Sequence, residues 1–496
     1  MDFKYPDDSC ALHTDAYELS MMQTYWQEGM ADRQAIFEAF FRKMPFNNGY
    51  AVFAGLDHII RYVKQLHFSK SDIDYLRSTK QFDDGFLDYL QNWHFTGTIR
   101  SMVEGELVFN HEPLVQVEAS MMDAQLVETA ILNIINYQVV VATKASRIKH
   151  IVGNQPVMEF GSRRAQEFDA ALWGTRAAYI GGFDATSNVR AGKLFGIPIS
   201  GTHAHALVQA YMNDYAAFKA YAETHHNCVF LVDTFDTLKS GVPSAIKVAD
   251  EFGDKINFQG VRIDSGDMAY LSKRVRQMLD DAGYPDAKIY ASNGLDEKTI
   301  MNLMIQGAKI DVWGVGTKLI TAYDQPTLDA VYKMVAFENE AGEMVDTIKL
   351  SNNAAKMSTP GKHQVWRITD SVDGKNEGDY VTLWGEDPRQ LDSLYMFDPN
   401  HTYLHKTVND FIARPLLQEI FVDGELVYDE PSLEEIHQSR RLHLDRLWEE
   451  YKRDLNPEVY PVDLSQKCYD NKMKMINYVH NYVAQMSKDQ EKQAKK

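Results

Sequence analysis

The residues best suited to chemistry stand where short apolar runs end, between positions 157 and 317. Gly201-Thr202-His203-Ala204-His205 follows the run Ile197-Pro198-Ile199-Ser200 and precedes a stretch with helical spacing over 206–222. His205 would then open a helix, where free N–H groups and partial positive charge favour an anion. A neutral imidazole there can attack a phosphoryl group. The plainer alternative is a pair of histidines that pack or cap the turn. Two of them beside Gly-Thr at a strand end favour chemistry, without naming the reaction.

Arg262-Ile263-Asp264-Ser265-Gly266-Asp267 closes another such run. An arginine inside a strand can pair bidentately with a carboxylate or phosphate. Asp264 could hold a ribose hydroxyl or help bind Mg²⁺, whereas Asp267 reads as the cap of the next helix. Gly314-Val315-Gly316-Thr317-Lys318 suits a phosphate nest, because glycines let consecutive N–H groups converge on an anion. Gly161-Ser162-Arg163-Arg164 puts two guanidiniums at a further strand end, one for the site and one for a surface pair. Phe183, in Gly181-Gly182-Phe183-Asp184, could stack on a flat ring or equally be core. Tyr17, in the first turn of the first helix, is a core residue by default.

These clusters imply the elements that must carry them. Six apolar runs lead into polar or glycine-rich turns, and helical spacing follows the first five. That is strand, loop and helix in repetition, with the reactive groups at the carboxyl ends of the strands. In a closed or partly closed parallel β/α barrel those ends form the mouth where active sites sit. The expected architecture is α/β: an irregular parallel TIM-like barrel over 146–344, a discontinuous N-terminal α/β sandwich domain, and a helical C-terminal segment over 431–496. The N-terminal domain covers 1–145 and is completed by about 345–430. Within it, Thr14 is expected to cap a helix reaching about residue 28, and 35–41 to form a strand. Helices are expected over 56–66 and 121–147, with a meander over 98–120. Strands at 331–337, 347–350 and 364–368 flank 351–356 and are expected to join the N-terminal sheet. Residues 488–496 read as a disordered polar tail.

The 496-residue chain is too long for one ordinary core. Its hydrophobic share of 45% and charged share of 24% are those of a water-soluble globular protein. A formal charge of −19 argues against nucleic-acid or anionic-membrane partners, and confines any cationic site to a local cluster. Cys10, Cys228 and Cys468 are too few and too scattered for a disulfide framework or metal cluster, so a cytoplasmic location is expected. Residues 1–8 lack the apolar core of a secretory signal, and the apolar stretch 126–145 carries polar residues that suit a buried helix.

Taken in order, several of these stretches closely resemble the nicotinate phosphoribosyltransferase family. They are Thr14-Asp15-Ala16-Tyr17-Glu18-Leu19, Glu159-Phe160-Gly161-Ser162-Arg163-Arg164-Ala165, Gly181–Asn188, Gly201–His205, Gly260–Asp267 and Gly314–Thr317, with Lys349-Leu350-Ser351 and Pro360-Gly361-Lys362 beyond. The resemblance implies transfer of phosphoribosyl from phosphoribosyl pyrophosphate (PRPP) to nicotinate, the first step of NAD salvage from nicotinate. ATP hydrolysis would be coupled through a phosphohistidine on His205, not His203. Tyr17, Thr202 and Arg262 would contact nicotinate, with Phe183 and Arg163 as further candidates, and Thr317 would contact PRPP. Gly314, Gly316, Lys318 and Arg164 join Thr317 as phosphate candidates, and Asp264 could stabilise the oxocarbenium-like ribosyl centre. Mg²⁺ would accompany the pyrophosphate, on acids left open. The family also implies a homodimer with shared active sites. Ala206 departs from the pattern, since many members have Ser there. Rival readings are an enzyme for nicotinamide or quinolinate, a non-catalytic metabolite-binding barrel, and a glycosidase using Asp233, Asp236 or Asp264.

Overall fold

The computed structural model describes residues 9–350 and 357–494, with side chains as far as 486. Residues 1–8, 351–356 and 495–496 lie outside the described residues; 488–494, expected as disordered tail, continue the helix Gln466–Ala494 instead. The chain divides into two compact units, Val140–Pro326 and Met1–Val139 with Thr327–Lys496.

Val140–Pro326 holds six parallel strands: β1 (Val157–Glu159), β2 (Ala185–Thr186), β3 (Asn227–Leu231), β4 (Asn257–Ile263), β5 (Lys288–Ser292) and β6 (Val312–Val315). They lie in the order β2-β1-β6-β5-β4-β3, a half-barrel sheet with β2 and β3 at its edges. The near-continuous apolar runs are those of strands covered on both faces. Phe230, Val261, Ile263 and Ile289 join Phe218, Val248, Val275 and Leu279 of the flanking helices in one buried core. Gly260 is required in β4: its φ is +144°, and an added Cβ would lie 1.9 Å from the Lys288 carbonyl oxygen.

Two expectations fail here. The strand expected over 197–200 is reduced to a bridge from Ile199 to Thr186, and Ala185–Thr186, to which no element was assigned, is the strand. Pro198 explains this, because it offers a carbonyl to Thr186 N–H but no donor of its own. The expected helix over 206–222 is two helices, His205–Tyr211 and Asp214–Thr224. Met212 is left-handed at φ 52°, and the Asn213 side chain caps the second helix.

In the other unit, Gln34–Phe40 is an inner strand of a seven-stranded sheet, antiparallel to Val115–Ser120 on one side and Val331–Glu338 on the other. Gln418–Val422 pairs with Thr98–Ser101 towards one edge, and Met344–Asp346, not 347–350, forms the other. His363–Asp370 does not join this sheet as expected. It pairs with Asn376–Leu383 in a four-stranded sheet that includes Phe411–Pro415 and Val462–Leu464. The reason is charge: the hairpin register sets Arg367 opposite Asp379. Arg367 is 2% exposed and binds Asp379 through two nitrogens, each at 2.7 Å, Glu106 at 2.6 Å and the Leu107 carbonyl at 2.7 Å. Glu106 also accepts from Arg414 at 2.7 Å. Burial alone would raise the Glu106 carboxyl, yet Arg367, His443 and Arg414 hold it down at about 2.

The first helix is Ala16–Gln27 with Asp15 at its cap; Thr14 instead bonds the Leu126 carbonyl. The helix expected over 121–147 is Met121–Leu126 followed by Glu128–Val152. This stretch is apolar and long enough to cross a membrane, but 67% of its apolar window is buried, as in a core helix. The carboxyl-terminal part contributes Leu433–Arg446 and Gln466–Ala494.

Candidate active site

The carboxyl ends of β3, β4 and β5 bring one hydrogen-bonded cluster together. β4 and β5 are parallel with Tyr290 beside Arg262, so Ser292, two residues on, faces the same side as Arg262 and Asp264. Arg262 Nε donates to Ser292 Oγ at 2.8 Å, Nη1 to Thr202 Oγ1 at 3.1 Å and Nη2 to Asp264 Oδ1 at 3.1 Å. Ser292 in turn donates to Asp264 Oδ1. The guanidinium lies 5.4 Å from the centroid of the Phe160 ring. Gly314 makes room for that ring, because a Cβ there would come within 2.6 Å of it. Three of the five guanidinium N–H groups are thus used among the described residues, leaving one on each Nη for an anion.

His205 is the first residue of its helix, with a side chain 38% exposed. Its Nδ1 is 3.0 Å from Thr234 Oγ1, and its Nε2 is 4.0 Å from Asp233 Oδ1 and 3.8 Å from Asp264 Oδ2. Asp233 Oδ2 accepts from the Asp264 backbone N–H at 3.0 Å and from the Ser265 hydroxyl at 2.6 Å. Its other oxygen is buried and makes no hydrogen bond among the described residues.

His203 does a different job. Its Nε2 accepts the backbone N–H of Leu231 at 3.1 Å, so the other nitrogen carries the proton and faces the Ala204 carbonyl at 3.4 Å. The ring packs against Phe218 and Tyr221, and burial pushes its pKa down to about 4. It is a neutral clip between the Gly201–His205 loop and the sheet edge at β3.

The remaining candidates are more dispersed. Gly316 and Thr317 begin the short helix Thr317–Ile320, where Thr317 is exposed, and Lys318 is held by Asp296 at 2.5 Å. Arg163 and Arg164 are exposed on the turn after β1 and form no ion pair among the described residues. That turn is anchored by Glu159, 1% exposed, which accepts from Gly161 N–H, Thr175 and Thr186. Phe183 is 1% exposed, so both its ring faces are already covered. Tyr17 belongs to the other unit and is 49% exposed, beside the buried Glu18, whose carboxyl burial raises to about 7. Sequence reasoning assigned no role to Phe160, Thr234 or Ser292, and gave Asp233 a part only in the glycosidase alternative. Asp233, Thr234 and Ser292 stand where apolar runs end, the signal that could have found them, and Phe160 lies in the Glu159–Ala165 stretch with no feature of its own to mark it.

Three family models match the chain in succession. The nicotinate phosphoribosyltransferase N-terminal domain matches residues 12–136, the family model matches 156–368, and the C-terminal domain matches 362–472. Nicotinate phosphoribosyltransferase of Bacillus subtilis (strain 168) is 56% identical over 97% of this chain and 98% of its own length. This chain belongs to the nicotinate phosphoribosyltransferase family. A family member from Bos taurus is 31% identical over 92% of this chain and 95% of its own length. The crystal structure of human nicotinic acid phosphoribosyltransferase superimposes with a TM-score of 0.82 at 29% identity, covering 94% of this chain and 99% of the human one. A nicotinate-nucleotide pyrophosphorylase from Pyrococcus furiosus shares the fold, with a TM-score of 0.67 at 24% identity over 90% of this chain and 98% of its own.

Proposed function

We propose that this protein transfers the phosphoribosyl group of PRPP to nicotinate, releasing pyrophosphate and nicotinate mononucleotide, with ATP hydrolysis coupled through phosphorylation of His205. The observation that carries the reading is the pairing of His205 with two carboxylates, next to an arginine that keeps two N–H groups free. Asp233 and Asp264 near Nε2 favour a proton on that nitrogen. The lone pair then falls on Nδ1, oriented by the Thr234 hydroxyl, as the nucleophile toward ATP. Phosphorylation adds about −1.5 to −2 charge, which would draw the exposed Arg163 and Arg164 and favour one substrate state over the other.

Arg262 offers its free N–H pair to the nicotinate carboxylate, and the exposed side of Phe160, with Tyr17 of a second copy of the chain, supplies flat surfaces for the pyridine ring. Phe160 takes the stacking role expected of Phe183. Asp264 faces the positive charge that builds on the ribosyl carbon as pyrophosphate leaves. Thr317, Gly316 and Gly314 stand at the end of β6 for the phosphates, while Lys318 is engaged by Asp296.

Mg²⁺ would neutralise the departing pyrophosphate. The residues fit it: Asp233 Oδ1, buried with no hydrogen bond among the described residues, and Asp264 Oδ2, 3.8 Å from His205 Nε2, are hard oxygen donors, and Mg²⁺ takes few protein carboxylates when phosphates are present. No larger acidic or histidine cluster is present among the described residues.

A homodimer with shared active sites belongs to the same proposal. Phe168, Phe235 and Tyr270, which follow strand ends of the half-barrel, and Ile199, which bridges Thr186, are exposed in the single chain, the kind of surface a second copy covers. Mixing an inactive Tyr17→Ala protein with an inactive Arg262→Ala protein should restore activity; no recovery would remove the shared site. The reaction itself is tested by supplying nicotinate, PRPP, Mg²⁺ and ATP. Nicotinate mononucleotide, pyrophosphate and ADP are expected, and products from nicotinamide or quinolinate alone would overturn it.

A further inference from the structure

The Arg262 guanidinium is held from several sides, and one of its holders plays two parts. Ser292 Oγ accepts from Arg262 Nε at 2.8 Å and gives its own proton to Asp264 Oδ1. A hydroxyl has one proton, so these two bonds fix its direction. Ser292 is 4% exposed, which leaves little room for water to replace it. Its neighbour on β6 is Gly314, whose missing side chain admits the Phe160 ring against the guanidinium. The arginine is therefore clamped at Nε by Ser292, at Nη1 by Thr202 and against one face by Phe160.

We propose that Ser292 is a positioning residue for nicotinate capture: its hydroxyl, held by Arg262 Nε and Asp264 Oδ1, sets the plane of the Arg262 guanidinium. This rests on the reading of Arg262 as the carboxylate anchor. Without the hydroxyl, Arg262 Nε loses its partner, and the direct Arg262–Asp264 pair at 3.1 Å is free to tighten. A tighter pair would turn the guanidinium edge from the substrate carboxylate towards Asp264. The defect should appear in nicotinate binding, because the Ser292 hydroxyl bonds Arg262 and Asp264 and neither His205 nor the Gly314–Thr317 turn.

The test compares Ser292→Ala, Ser292→Thr and Arg262→Lys in the full-length protein, reading KM for nicotinate, KM for PRPP and kcat. Melting curves establish that each variant is folded. Ser292→Ala should raise the nicotinate KM by roughly tenfold, the usual consequence of unpairing a buried hydrogen-bonding group. KM for PRPP should stay within about threefold, and Ser292→Thr should restore the nicotinate KM. Should Ser292→Ala be unstable, Ser292→Cys, with a poorer acceptor of similar size, should show the same selective rise. An unchanged nicotinate KM, equal loss towards both substrates, or no recovery with threonine would overturn the proposal. Arg262→Lys separates the two levels: a normal nicotinate KM there removes the anchor itself, whereas a raised one beside a normal Ser292→Ala removes only the positioning role.

Discussion

Asp233 and His205 make the reaction readable at the scale of single side chains. Asp233 spends one oxygen on the Asp264 backbone and the Ser265 hydroxyl, and keeps the other buried and unpartnered near His205 Nε2. An orphaned carboxylate oxygen is costly unless a reaction uses it. Replacing His205 with Asn should abolish ATP-dependent stimulation and acid-labile labelling of the protein from γ-labelled ATP. Asp233→Asn should slow that labelling by about 100-fold, the usual size of a general acid–base contribution, while nicotinate KM changes little. Unaltered stimulation in His205→Asn would end the phosphohistidine route.

Elements decide which of two neighbouring histidines is available for chemistry. His203 is committed to the Leu231 N–H at the edge of β3, so only His205 keeps a usable ring. A histidine whose folded pKa is depressed adds stability above its unfolded pKa near 6.5 and loses it as pH falls through about 4. His203 should therefore remain neutral in a proton NMR titration from pH 8 to 5, and His203→Ala should destabilise the protein by about 1–3 kcal/mol in urea. A ring that titrates near 6.5 would contradict the clip. Of the alternating pattern, the strands with continuous Val, Ile and Phe runs were legible, because burial on both faces leaves no other composition. The strand Ala185–Thr186 was not: two residues carry no period, and its pairing depends on distant β1. Ser292 and Phe160 were hidden for a related reason. Their roles come from the parallel register and from the space at Gly314, neither of which is written locally.

In the molecule as a whole, the buried charges around Arg367 decide how the discontinuous unit responds to acid. Glu106 falls from 4.5 to about 2 on folding, so its contribution is present above pH 4.5 and is lost as pH drops towards 2. Acid unfolding should steepen in that window. Arg367→Met should cost about 3–5 kcal/mol, because it leaves Glu106 and Asp379 as buried charges without their shared cation. A double variant that also makes Glu106 Gln should recover part of that loss in equilibrium denaturation. Unchanged acid stability in Arg367→Met would show that the cluster is dispensable.

The seven-stranded sheet carries a consequence for synthesis on the ribosome. Gln34–Phe40 waits for Val331–Glu338, and Thr98–Ser101 waits for Gln418–Val422, so the earliest strands to emerge are among the last to be paired. For most of translation their open edges are exposed to other nascent chains. Premature stops before residue 418 should leave insoluble product, and chaperone demand should peak before the chain is released.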